Sequence, residues 1–463
     1  MNALLLSAFF GVIMMFSGLW LKPNALGSKA AVRNLAIAGM VLLLLVNILE
    51  MSGTVLINID TKGMIVFDNF SLLFNSIAFF ATVVYGLLSA RDIEKVGINY
   101  AEYFALIFFI LCGITLTSSF KSLLILFLGI EIISIPLYIL TGSDKRNLKS
   151  NEASLKYFLM GAFSTGLLLM GIALIYGDMG TFNTVTIGAF TETKPSALLI
   201  TGMLLLLFAM SFKASVAPFH FWTPDVYDGA PTVFTSFMAT IVKAAVFIAF
   251  IRLFDDAFGF QQKQWQLFIG IVTVATLFIG NITAVFQQSV KRMLAYSSIA
   301  QAGFMMLSLF AMNTDAKEGL LLYTAAYSLA TLGIFAVLIK MKDYTFDGFN
   351  GFAKHYPLLA ATTTVFLLSL AGIPLTAGFM SKFYMLKAVV NNGKNLWLVI
   401  FAVLMAAISV YYYFRVIQAM YFKEGPAQPI HVSPVFKWTL VLVAVLVIGL
   451  GIFPNMLLNW FYF

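Results

Sequence analysis

Charge is scarce in this sequence: Asp, Glu, Lys and Arg make up 10% of its 463 residues, against roughly a quarter in soluble domains. Beside a hydrophobic share of 61%, that scarcity excludes a soluble globular fold. Cysteine is nearly absent, and the single Cys112 can form neither an intrachain disulfide nor a cysteine-ligated iron–sulfur cluster. Histidine is rare too. His220, His355 and His431 all fall outside the middle of an apolar run, where the axial ligands of a membrane b-type haem would stand. There is no Gly-x-Gly-x-x-Gly turn and no Walker A loop. No polar stretch is long enough to fold as a separate soluble domain. Redox chemistry on this chain is not expected, no metal or cofactor site is read from it, and the energy for its work must come from a partner or an ion gradient.

What remains is a succession of apolar runs of roughly 18 to 22 residues, the length that crosses a hydrocarbon core of about 30 Å. The pattern predicts an all-α integral membrane protein of about fourteen spans. They begin at Ala3, Asn34, Ser71, Tyr100, Ser122, Ser154, Ala197, Pro231, Gln264, Lys291, Glu318, Pro357, Asn395 and Phe436. Met1 leads into the first run without a basic n-region or cleavage pattern, so that span is expected to be retained. The net charge of +8 does not point to nucleic acid. Loops after odd-numbered spans, with their flanks, carry sixteen Lys and Arg, Lys22 among them, and those after even-numbered spans eight, Lys194 and Lys394 among them. The positive-inside rule then predicts odd loops in the cytoplasm and both termini periplasmic.

Sorting the charges leaves Lys213, Lys243, Lys382 and one acid, Glu131, inside spans. Glu131 and Lys243 lie about ten and twelve residues into their helices, near the midplane. A lone charge there costs from about 3 kcal/mol upward, so such groups face a bundle interior and pair. Lysine suits a proton switch because burial lowers its affinity for the proton while a nearby carboxylate raises it. A Glu131–Lys213 ion pair that merely fixes packing is the bland alternative. It leaves Lys243 and Lys382 without a second acid at that depth.

Polar residues recur around these charges at helical spacing: Glu131, Ser134 and Tyr138; Ser236, Thr240 and Lys243; Ser297 and Gln301; Tyr323, Tyr327 and Thr331. They either line a chain of waters or make ordinary contacts between helices. Two spans read as broken, the seventh near Pro218 and the twelfth across Gly372-Ile-Pro374-Leu-Thr-Ala-Gly378. Each break lies close to a buried lysine, and paired broken helices in the two halves of a chain point to transport sites. Between spans seven and eight, an aromatic and acidic segment without Lys or Arg places His220 and Asp225 either as gates for proton access or within an interfacial aromatic belt.

The stretch Lys213-Ala-Ser-Val-Ala-Pro-Phe-His-Phe-Trp-Thr-Pro-Asp-Val-Tyr-Asp-Gly-Ala-Pro-Thr232, followed by Lys243-Ala-Ala, resembles the antiporter-like subunits of respiratory complex I, the proton-translocating NADH:quinone oxidoreductase. Lys291-Arg-Met-Leu-Ala-Tyr-Ser-Ser-Ile-Ala-Gln-Ala-Gly-Phe304 does so too. Leu155 to Gly166 and Gly372 to Tyr384 are most similar to the N branch of that family. Lys382 stands where the M branch carries a glutamate, and the long lateral helix of the L branch is not expected after the fourteenth span. The resemblance implies two inverted five-helix repeats, 100–253 and 264–421, between a three-helix segment 1–99 and a last helix 436–463, with spans seven and twelve discontinuous. It also implies that Glu131, Lys213, Lys243 and Lys382 form the proton path; Ser297, Gln301, Tyr323 and Tyr327, taken from the polar stripes and not from the resemblance, are further candidates for proton access. Other membrane and peripheral subunits are implied as partners beside the membrane lipids. They would hold the quinone, FMN and iron–sulfur clusters, in a bacterial inner membrane. The alternatives are a multi-subunit cation/proton antiporter driven by a gradient, a membrane-bound hydrogenase subunit, or a scaffold. The last leaves the lysines without a role.

Overall fold

The computed structural model describes residues 1–20, 28–190, 195–393, 395–425 and 428–462. Lys22, Lys194 and Lys394 lie outside the described residues. The chain is helical from end to end, with isolated β-bridges but no strand among the described residues. This is what a bilayer demands: a lipid-facing backbone must satisfy its polar groups within its own segment.

The helices are α1 Asn2–Trp20, α2 Ser28–Met51, α3 Asn69–Val96, α4 Tyr100–Ser119, α5 Leu123–Thr141, α6 Leu148–Met179 and a short α7 Thr184–Phe190. Then follow α8 Ala197–Lys213, α9 Trp222–Gly229, α10 Thr232–Phe237, a π-helical turn Met238–Val242, α11 Lys243–Phe258, α12 Gln262–Val285, α13 Val290–Ala311 and α14 Thr314–Ile339. Past a short α15, Phe352–His355, come α16 Pro357–Ala371, α17 Ala377–Asn391, α18 Leu396–Phe422, α19 Pro434–Ile452 and a final turn α20, Asn455–Leu458. A helix stands at or within a few residues of most expected span starts. The exceptions are α2 and α6, which begin six residues early because their first turns are polar and lie outside the apolar run. Several starts are fixed by side-chain caps: Asp68, Ser196, Asn313 and Ser433 each accept a backbone N–H of the first turn.

Both expected breaks are present. After α8 the chain leaves helical geometry at Ser215, whose φ is +63°, and resumes as α9. Trp222 closes this gap by donating its indole N–H to the Phe212 carbonyl at 3.1 Å. The break begins at Lys213 itself, five residues before Pro218. Between α16 and α17, Gly372 adopts φ +84° and caps α16 in the left-handed conformation that glycine takes without strain. Gly378 lets the two half-helices touch, since a Cβ there would overlap the Ser369 carbonyl oxygen.

The most central helices are α13 and α14, almost wholly buried, while α2, α6, α18 and α19 present apolar side chains outward. Inter-helix ion pairs sort into two faces. Arg33–Glu94, Lys340–Asp92, Lys156–Asp225 and Arg292–Asp225 join ends at odd-numbered connections. Arg252–Asp68, Lys121–Asp256, Lys317–Asp255 and Lys387–Asp315 join ends at even-numbered ones. The structure also buries charges that the sorting by sequence placed in loops or at helix ends: Lys291 is 3% exposed, Arg252 5%, Asp92 6% and Glu50 7%. Tertiary packing covers helix ends that hydropathy alone leaves in water.

Candidate functional site

Four charges were singled out inside spans, and the structure places all four on helices lining one polar seam. Glu131 is on α5, Lys213 at the last residue of α8, Lys243 at the first residue of α11 directly after the π-turn, and Lys382 on α17. A π-turn widens a helix locally and is frequent at functional sites. Nothing in the sequence announces this one.

Glu131 and Lys213 do not form a direct ion pair. The hydroxyl of Thr165, on α6, stands between them: it donates to Glu131 Oε1 at 2.7 Å and lies 3.4 Å from Lys213 Nζ. Lys213 Nζ also donates to Ser134 Oγ at 2.9 Å. Glu131 and Lys213 are partly buried rather than enclosed. Thr165 was not identified from sequence as a site residue, although it lies within the stretch from Leu155 to Gly166; a lone threonine on an apolar helix carries no signal of its own.

Lys243 is 2% exposed. It donates to the Ser298 carbonyl and to Ser298 Oγ, each at 3.0 Å, and its Nζ lies 5.7 Å from the centre of the Tyr227 ring. A cavity of about 20 Å3 opens onto both Lys213 and Lys243, with Ser134, Tyr157, Trp222 and Tyr227 in its wall. That is room for about one water.

Lys382 is 6% exposed and reaches back across the break to the end of α16, donating to the carbonyls of Leu370 at 2.8 Å and Ala371 at 3.2 Å. These are carbonyls a helix end leaves unpaired, and the negative end of the helix dipole favours a cation there. The Phe304 ring lies 4.6 Å from the amine. Among the described residues, no carboxylate is paired with Lys213, Lys243 or Lys382 within 4.0 Å.

Helix α13 links the second and third amines. Ser298 receives Lys243, and its neighbour Ser297 is hydrogen-bonded to the Tyr413 hydroxyl. Gln301 donates to Tyr413 Oη and to the Leu370 carbonyl, both at 3.0 Å, and accepts from Tyr323. Leu370 O is therefore shared by Gln301 and Lys382. Gln301, Tyr323, Tyr327, Ser381 and Lys382 enclose a second cavity of about 10 Å3. Ser236, Tyr327, Ser328 and Thr331 are also buried here, with the Tyr327 hydroxyl facing those of Thr331 and Ser298. The stripes Ser297/Gln301 and Tyr323/Tyr327 thus meet at Lys382. Thr240 instead bonds back to the Ser236 carbonyl at 2.7 Å. Ser298 and Tyr413 were missed, the first because its neighbour filled the helical pattern and the second because it lies in a run of three tyrosines.

His220 and Asp225 do not join the seam through hydrogen bonds. His220 is 5% exposed within the break, its ring centre 4.6 Å from that of Phe221 and its Nδ1 without a partner. Asp225 binds Lys156 and Arg292, each at 3.0 Å, on the odd-numbered face. The aromatic segment divides: Phe221 is exposed, whereas Trp222 is core, stacked 4.7 Å from Tyr157.

The family described as NADH:quinone oxidoreductase/Mrp antiporter, transmembrane, matches residues 121–409. The chain is 40% identical over 468 residues to the NADH-quinone oxidoreductase subunit N of Cytophaga hutchinsonii, covering 99% of each protein. In three dimensions it is similar to a chain of respiratory complex I from Thermus thermophilus with bound aureothin, with a TM-score of 0.84 and 30% identity over 99% of this chain and 98% of that one. A chain of the Mrp complex from Dietzia sp. has a TM-score of 0.85 over 100% of this chain and 96% of that one; at 18% identity this is a likeness of fold alone.

Proposed function

The chain belongs to the NADH:quinone oxidoreductase/Mrp antiporter family of membrane proteins, and we propose that it is the N-type membrane subunit of a proton-translocating NADH:quinone oxidoreductase. It works as one subunit of that multi-subunit enzyme, and its own task is to carry protons across the membrane. Quinone, FMN and iron–sulfur clusters are expected on its partners. A bacterial inner membrane is its setting, with the odd-numbered loops cytoplasmic and both termini periplasmic. Two inverted five-helix repeats, 100–253 and 264–421, follow from the family likeness and agree with one broken helix in each.

The observation that carries the proton-path reading is the bonding of the three amines. Each is held by hydroxyls or carbonyls instead of a carboxylate, so each can shed its proton without leaving a buried acid unpaired. Glu131 supplies the one mobile counter-charge. When a partner subunit draws its carboxylate toward Thr165 and Lys213, the charged form of Lys213 is favoured; when the carboxylate withdraws, the proton is released. The cavity between Lys213 and Lys243 then permits transfer by way of one water. From Lys243, Ser298 Oγ and the bonded hydroxyls of Ser297 and Tyr413 mark the way toward Lys382, with waters carrying the proton between them and on to the amine. Gln301 and the Leu370 carbonyl cannot relay a proton and instead position the tyrosine and the last lysine. Lys382 hands its proton to the periplasmic side.

The antiporter alternative shares these groups but needs no quinone-reducing partner, and full-length similarity at 40% identity to an N subunit favours the oxidoreductase. Replacing Lys243 by alanine should lower proton pumping at least tenfold while the complex remains assembled. Normal pumping at normal abundance would remove Lys243 from the path.

A further inference from the structure

A crevice with a charged lip and a mainly apolar wall opens among the described residues on the face of the odd-numbered connections, and none of the four seam charges lines it. It has a volume of about 690 Å3 and is enclosed by the start of α2, the end of α3 and the segment leading into α19. Along α3 it runs from Lys95 down to Gly86, about 13 Å of helix at about 1.5 Å per residue.

Its chemistry changes with depth. Four cations line the outer part: Arg33, Arg91, Lys95 and Lys340. Glu94 takes up Arg33 at 2.8 Å, and Asp92 is shared between Lys95 and Lys340. Two carboxylates thus serve three of the four cations. Arg91 is exposed and has no hydrogen bond or ion pair among the described residues. One turn deeper the wall becomes apolar, with Leu87 and Val435 opening outward at 38% and 57% exposure. An unneutralised guanidinium at the level of the helix ends, continuous with an apolar trough below it, is complementary to an amphiphile with an anionic head. A soluble anion would use the lip and leave the trough wet. Basic pockets between transmembrane helices are a recognised setting for anionic lipid headgroups.

We propose that this crevice binds an anionic phospholipid, its phosphate held by Arg91 and Lys95 and the upper part of an acyl chain laid along Leu87 and Val435. The bidentate fork of Arg91 suits a phosphate better than a lysine would. The lipid would pin α2, α3 and α19 at the edge of the subunit, without taking part in the proton path.

The test uses the intact complex in nanodiscs. Photoactivatable phosphatidylglycerol should label peptides containing residues 86–95 and 431–437. Unlabelled phosphatidylglycerol should compete at least tenfold better than phosphatidylcholine, and inorganic phosphate should not compete. Arg91→Gln should lower the labelling about fivefold, as expected for one cation near an anionic headgroup, and Arg91→Lys should restore most of it. Ala38→Trp, which fills the trough without changing charge, should lower it as well. Equal competition by phosphatidylcholine, or unchanged labelling in Arg91→Gln, would overturn the assignment. Loss of a partner subunit from the Arg91→Gln complex with labelling intact would also overturn it, by making the crevice a protein contact.

Discussion

Lys213 and Lys382 both flank a broken helix, yet the two ends of the seam hold their amines in opposite ways. Lys213 ends the first half-helix and points at side chains, Ser134 and Thr165, with Glu131 one hydroxyl away. Lys382 follows its break and turns back onto backbone, the Leu370 and Ala371 carbonyls that close α16. The first environment can change, because a carboxylate can move. The second cannot, because carbonyl dipoles are fixed. A lysine one hydroxyl away from a movable acid suits the driven end of a proton path, and one held by a fixed helix end suits the terminal station. The same pair of breaks thus yields a switch on one side and a relay on the other.

The largest expected effect tests the terminal station. Lys382→Met keeps the length of the side chain but removes the charge and both donors, so pumping should fall at least tenfold. The buried carbonyls of α16 would then lose a partner, at about 1–3 kcal/mol. Lys382→Gln restores a donor without the charge. Its complex should melt within a few degrees of the unmodified one and still not pump; recovery of pumping in Lys382→Gln would show that the charge is dispensable and break the comparison. The next effect tests the switch. Thr165→Val leaves the volume of the side chain but removes the bridge between Glu131 and Lys213, and should lower pumping several-fold. Thr165→Ser should keep it. If valine changes nothing while Glu131→Gln does, the acid acts on Lys213 without the hydroxyl.

The positions of most helices were legible because a bilayer leaves little choice: apolar length, and proline or glycine at the breaks, mark the elements. Helix count and pairing of repeats are coarser matters than these local signals decide. The four charges were equally legible, since an ionisable residue inside a span stands out by its cost. Apart from Ser134, which shares a face with Glu131 by helical spacing and receives Lys213, their partners were not. Thr165, Ser298 and Tyr413 are residues that membrane helices use everywhere, and only packing distinguishes the one beside Lys243 from its neighbours. The direct pair between Glu131 and Lys213 failed for a related reason: sequence gives the depth of two charges but not the rotation of their helices, and here that rotation admits α6 between them. Depth also misled on Lys291. It reads as a loop cation, yet its amine is buried against the Asp228 and Ala230 carbonyls at 2.8 and 2.7 Å.

The smallest effect on pumping is expected at a clamp remote from both lysines, and it serves as the control. Asp68 caps α3 and grips Arg252 of α11 at 2.6 Å. Burial alone would raise its carboxyl, but Arg252 and the Ser71 N–H outweigh that and hold it below the usual value. A carboxylate lowered in the folded state contributes stability that is complete above its ordinary pKa of about 4 and fades as pH falls through the lowered value. The Asp68 side chain is 41% exposed, which screens the pair, but Arg252 is only 4% exposed and loses its charged partner, so Asp68→Asn should cost about 1–3 kcal/mol at pH 7. The difference from the unmodified complex should shrink as melting is followed from pH 7 toward pH 3. Pumping per assembled complex should stay unchanged. If the clamp altered pumping as strongly as Thr165→Val, the losses at the two lysines would report general loosening of the bundle, and the contrast between movable acid and fixed carbonyls would lose its meaning.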